Sequence, residues 1–120
     1  TDTARLWAFD VAGPGEIRRQ SGPAPHGGRL VCGLAGYQGF DSMAVDARGN
    51  ICVATLTTGH ITVIAPGGEV LRQVKVPDTH VTNICFGGPD LRTAYMTFAG
   101  RGELASMPWP EGGLALNFNA

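Results

Sequence analysis

The feature that most constrains this chain is its punctuation. Glycine (18 residues) and proline (8) recur in short clusters, GPG, GPAPHGG, PGG, GGPD, AGRGE and PEGG, spread through 120 residues. Glycine supplies positive φ and proline fixes φ, so such clusters end one element and reverse the chain into the next. The segments between them are short and several alternate. In RLWAFDV, Leu6 and Ala8 alternate with Trp7 and Phe9. Met43 and Val45, Ile51 and Val53, Ile61 and Val63, then Val74 and Val76 around Lys75 repeat the pattern. Period-two alternation means strands. No segment sustains an apolar stripe at helical spacing, so the expected class is all-β.

The turns have mechanisms. In DARGN, Gly49 can take the positive φ of a tight hairpin while Asp46 bonds amides ahead of it, a structural role. APGGEV and FGGPDL reverse the chain in similar ways. A net charge of −1 with 16% charged residues provides no basic surface for nucleic acid and none for an anionic membrane. No apolar run approaches a membrane span or a secretory leader, and the expected compartment is the cytoplasm. Cys32, Cys52 and Cys85 lack metal-knuckle spacing and are odd in number, so they read as small buried thiols.

An internal repeat follows. SMAVDARGNICVATLTTGHITVIAPGG can be laid over TNICFGGPDLRTAYMTFAGRGELASMPWPEGG, at a period of about 40 residues with four strand signals per unit, as in a propeller blade. Ala44-Val45-Asp46 then matches Ile84-Cys85-Phe86, and Cys52-Val53-Ala54 matches Ala94-Tyr95-Met96. The expected division is a partial blade over 1–38, a blade over 39–78 and a last blade over 79–120. A closed propeller needs about four blades or more. The abrupt start within a strand pattern predicts a piece of a longer chain, whereas LALNFNA reads as a natural end. Blade edges left open predict self-association.

Two stretches carry a family resemblance. DSMAVDARGNICVA fits the blade opening D-[GS]-M-x-x-D-x-x-G-N-x-x-V-A, and VTNICFGGPDLRTAYMT follows at the right distance. Together they make the chain resemble the C-terminal portion of the SMP-30/gluconolactonase family of six-bladed β-propellers, of which it would hold about two and a half blades. The resemblance implies hydrolysis of sugar-acid lactones such as gluconolactone. It also implies one divalent cation (Ca, Zn, Mg or Mn) held by a Glu, an Asn and an Asp. Asp41 matches that Asp. The Glu and Asn belong to parts of the family pattern that lie before RLWAFDV. Ser42 stands where the family usually has Gly.

On this reading Asp41 is both metal ligand and catalytic residue, either as ligand alone or also as general base toward water. The plain alternative is a strand-entry aspartate. His80 and Thr82 open the last blade as Asp41 opens the one before, and become candidate substrate contacts, with Asn83 a weaker one. Their alternative is a satisfied polar turn. His26 and His60 read as solvated loop residues. Ser42 lacks the nucleophile elbow and partners of a serine hydrolase. Trp7, Phe9, Trp109 and Phe118 read as packing aromatics. The isolated chain should be inactive because ligands are missing. The competing function is a non-catalytic propeller segment that binds or assembles with another chain.

Overall fold

A computed structural model describes residues 3–118. Thr1, Asp2, Asn119 and Ala120, which the first and last expected units and the LALNFNA end include, lie outside the described residues. Eleven strands and no helix occur among the described residues. The central sheet is a four-stranded antiparallel meander in the order β5 (Gly39–Val45), β6 (Ile51–Leu56), β7 (His60–Ile64) and β8 (Val70–Lys75). The next is three-stranded, from β9 (Val81–Gly87) through β10 (Thr93–Phe98) to β11 (Glu103–Pro108). Before the central sheet, β1 (Arg5–Ala8) pairs with β4 (Arg29–Gly33), and a small hairpin of β2 (Asp10–Gly13) and β3 (Glu16–Arg18) lies between them in sequence. The class is an all-β partial propeller, with sheets stacked face to face.

Stacking is what holds the fold. Cys52, Ala54, Ile61 and Val63 of the central sheet pack against Ile84, Phe86, Ala94, Met96 and Phe98 of the three-stranded sheet. On its other face, Phe40, Val53 and Ile64 pack against Ala4, Leu6 and Cys32. The central sheet is therefore buried from both sides, and full burial of each Ile or Val contributes about 1.5–3 kcal/mol. Two hydroxyls inside it satisfy each other, Thr55 and Thr62 at 2.7 Å.

The repeat is real, but its register differs from the sequence superposition. Phe40 pairs with Thr55 and Met43 with Val53, leaving a bulge at Asp41–Ser42. Val81 pairs with Phe98 and Asn83 with Thr97, leaving a bulge at Thr82. With the bulges aligned, Ala44-Val45-Asp46 corresponds to Cys85-Phe86-Gly87, and Cys52-Val53-Ala54 to Tyr95-Met96-Thr97. Each match moves by one residue. That slip exchanges the two faces of a strand. The faces confirm it: Val53 and Met96 both look back at the preceding sheet. The sequence concealed the slip because Cys52 to Thr55 are all buried, so β6 has no polar face to mark its phase.

Other expectations change as well. Cys32 and Cys52 are buried, but Cys85 is exposed, because β9 has a sheet on one face only. Of the four aromatics only Trp109 is buried; Phe9 and Phe118 are exposed, and Trp7 meets the His26 ring edge-on at 4.5 Å. His26 is exposed as expected. His60 is not a loop residue: it opens β7, half-buried, opposite Lys75. Burial, then the Lys75 charge, lowers its pKa. No helix among the described residues is long and apolar enough to cross a membrane.

Candidate active site

Strand direction and loop hydrogen bonds define two ends of the stacked sheets. At one end, the β6–β7 turn reaches the linker before β9 through Thr57 N–H to Thr79 O (2.8 Å) and Val76 N–H to Gly59 O (3.0 Å). Ala99 N–H to His80 O (3.0 Å) brings the β10–β11 turn to the same place. Both innermost strands, β5 and β9, begin there. This end therefore carries Asp41 near the start of β5 and His80 and Thr82 at the start of β9. It also gathers Asp78, which the sequence reading passed over.

Three aspartates show what each carboxylate is committed to. Asp46 is fully buried and holds the DARGN hairpin. Its Oδ1 accepts from Arg48 N–H and Asn50 N–H, both at 2.9 Å, and its Oδ2 from the Asn50 amide at 2.8 Å. Gly49 takes φ of 82° in the same turn, so its expected role holds. Asp46 also helps push the Cys52 thiol up to about 12, after burial itself. Asp78 is 5% exposed and ties two loops: Oδ1 accepts from His80 N–H at 2.7 Å and Oδ2 from Arg101 N–H at 2.8 Å. The amide of His80 leads the causes that lower its pKa, against the opposing effect of burial. The D-T-H spelling was the available signal, since an aspartate two residues before an amide forms such a turn.

Asp41 is the contrast. It sits in the bulge of β5, is exposed, and its carboxylate makes no hydrogen bond or ion pair with a described residue. Buried Phe40 fixes the strand before it, while the bulge turns the next side chain out of the ladder. Thr82, its counterpart in β9, is half-buried and committed: its hydroxyl meets Thr97 Oγ1 at 2.8 Å and Thr97 O at 3.4 Å. The exposed ring of His80 has Nδ1 3.3 Å from Thr79 Oγ1 and 4.0 Å from Asp78. Asn83 Oδ1 accepts from Ile84 N–H at 2.8 Å.

The donor chemistry of Asp41 suits a hard divalent cation, which prefers oxygen ligands. The set is incomplete. Among the described residues no group of three or more His, Cys, Asp or Glu converges.

Stacked antiparallel sheets, each begun by a bulged inner strand, define a segment of a β-propeller. The chain belongs to the SMP-30/gluconolactonase/LRE-like family, whose model it matches over residues 1–100. Regucalcin of Xenopus laevis is 40% identical over 60 residues, covering 49% of this chain and 20% of that protein. A 6-deoxy-6-sulfogluconolactonase of Pseudomonas putida is 33% identical over 75 residues, covering 61% and 26% respectively. The fold matches a solved luciferin-regenerating enzyme with a TM-score of 0.74, at 24% identity, over 94% of this chain and 41% of that one. The chain spans from 20% to 34% of the length of the curated relatives it matches.

Proposed function

We propose that this chain serves in a metal-dependent lactonase acting on sugar-acid lactones, and that Asp41 is the residue it brings to the reaction. The observation that carries this is the state of Asp41: exposed, lifted from the ladder by a bulge, and bonded to no other described residue. The relatives named as lactonases support the substrate class. Within the chain, 1–38, 39–78 and 79–120 act as a partial blade, a blade and a last blade.

Asp41 would hold in part a divalent cation, which would supply Lewis-acid polarisation of the lactone carbonyl. Asp41 keeps a carboxylate oxygen at the mouth of the channel, as ligand or as acceptor of a proton from the attacking water. The water oxygen bonds to the carbonyl carbon, the ring C–O bond breaks, and the ring oxygen gains a proton to give the hydroxy acid. His80 and Thr82, at the same end, contact the polar substituents of the ring, and Asp78 fixes the backbone that carries His80. The other cation ligands come from outside this chain, so the isolated chain turns nothing over.

The test is Asp41→Asn in the intact protein. It removes a charge and a proton acceptor at almost constant volume, and hydrolysis of gluconolactone falls by roughly 10²–10⁴-fold. Retention of activity within a few-fold would remove Asp41 from the reaction. A second reading is self-association, favoured by β11, whose outer edge pairs with no described strand. It predicts concentration-dependent mass in sedimentation and no effect of Asp41→Asn.

A further inference from the structure

The strands before the central sheet carry more than a sheet edge. β1 and β4 pair antiparallel just ahead of β5, as β7 and β8 do just ahead of β9. They are the outer strands of their sheet. The connections differ, however. β7 turns into β8 through 65–69, whereas β1 reaches β4 through 9–28, which hold the β2–β3 hairpin and the loop GPAPHGG.

That loop is seated from several sides. Gln20 N–H donates to Gly27 O at 2.8 Å, and Gly27 N–H to Ala24 O at 3.0 Å. Gly27 takes φ of 77°, and a Cβ there would stand 2.6 Å from Arg19 Cβ. Close approach and positive φ both need glycine. Pro23 and Pro25 remove backbone freedom from the same stretch. The His26 ring lies 4.5 Å from Trp7, edge-on, and 5.5 Å from Phe9. Its Nδ1 accepts from Gly28 N–H at 3.0 Å, so the neutral ring carries its proton on Nε2.

Loop and strands together enclose a cavity of about 440 Å³, lined by Arg5, Trp7, Leu30, Pro23, Pro25 and His26 among others. No carboxylate lines it, and Arg5 is its one formal charge. The Arg5 guanidinium, the Trp7 indole N–H and His26 Nε2 make no hydrogen bond or ion pair with a described residue. The polar side chains of the lining are thus free donors, set beside an apolar wall. A guanidinium fork matches a carboxylate through two parallel hydrogen bonds. One positive charge balances one negative charge, which suits a monoanionic carboxylate better than a phosphate dianion. The half-buried indole, Leu30 and the two prolines suit a flat apolar body next to that charge.

We propose that this cavity is a binding site for a small aromatic carboxylate. Arg5 and His26 Nε2–H hold the carboxylate, and the aromatic ring lies against Trp7, Leu30 and the prolines. Asp41 is not among the lining residues, and the proposal does not depend on the lactonase reading.

The experiment titrates the intact protein calorimetrically with 2-naphthylacetate and with its neutral amide. A chelator is present, so that no cation at Asp41 can hold the carboxylate. The acid should bind once per chain with a Kd of about 1 mM or below, and the amide about tenfold or more weakly. Arg5→Gln should weaken the acid about tenfold and leave the amide within about twofold, because only the acid uses the charge. Trp7→Leu should weaken both ligands alike, by about fivefold or more. Thermal transitions without ligand show whether each variant folds, and exposed Arg5 keeps the test decisive where Trp7→Leu does not fold. Asp41→Asn should leave both affinities within about twofold. No saturable heat, the result if another part of the intact protein covers Trp7, would overturn the proposal. So would equal affinity for acid and amide, or a loss that follows Asp41→Asn rather than Arg5→Gln.

Discussion

The two best-formed sheets of this molecule are copies with one consequential difference. Both start with a bulged inner strand, both follow with a hairpin and a meander, and both present Val53 or its counterpart Met96 to the sheet before. At the bulge, however, β5 carries Asp41 and β9 carries Thr82. The threonine hydroxyl is used at once by Thr97, within its own sheet. The aspartate is used by no other described residue. Shared architecture therefore supplies a position, a side chain at a bulge of the inner strand. Only the residue type decides whether that position is structural or chemical.

The largest expected effect of breaking this comparison is on turnover. Asp41→Asn should lower lactone hydrolysis by roughly 10²–10⁴-fold, whereas Thr82→Val, at the equivalent bulge, should lower it by less than about tenfold. Steady-state kinetics on both variants in the intact protein checks the contrast. Comparable losses would mean that the two bulges share one role.

Stability sharpens the register. Ile84 is 2% exposed and faces the central sheet, while Cys85, one residue on, is exposed. Ile84→Ala should cost about 2–5 kcal/mol in denaturant unfolding, and Cys85→Ala less than about 0.5 kcal/mol. The reverse order would restore the unshifted superposition of the repeats.

The buried carboxylates come next. Asp46→Ala strips three hydrogen bonds from the DARGN hairpin and leaves buried donors behind, for a loss of about 1–3 kcal/mol by the same unfolding measurement. Asp78 gives a pH signature instead. Its folded pKa lies below the ordinary value of 3.8, so the unfolded chain binds the proton more readily. Its contribution is complete above that ordinary value and is lost as pH falls through the depressed one. Acid unfolding of Asp78→Asn should therefore depend less on pH in that window than the parent. The smallest effect belongs to Arg101–Glu103, an exposed pair at 2.9 Å, where Glu103→Gln should change stability by under about 0.5 kcal/mol.

How much of this was legible in the sequence depends on whether a residue's role is local. Glycine and proline clusters located the turns, because turn chemistry is set by the residues in the turn. Asp46 was legible for the same reason. The phase of β6 was not, since a strand buried on both faces carries no alternation. Exposure of Cys85 was equally hidden, because it depends on which face of β9–β11 has a neighbour. Asp78 was overlooked although its turn spelling is local, because one of its two partners, Arg101, comes from a distant hairpin. The role of the C-terminal segment was invisible: Trp109 and Glu111 meet Arg72 of β8, and Gly113 bridges Asp46 after β5 and lies against Phe86 of β9. Asp41 was singled out by motif, and its lack of a partner among the described residues adds a physical reason to the motif.

The most direct test of the central claim is the affinity of the intact protein for a divalent cation, titrated calorimetrically with and without Asp41→Asn at neutral pH. If Asp41 gives its carboxylate to the cation, the substitution should raise Kd by about tenfold or more while the thermal transition of the metal-free protein stays in place. An unchanged Kd would contradict the claim and return Asp41 to an exposed strand-entry aspartate.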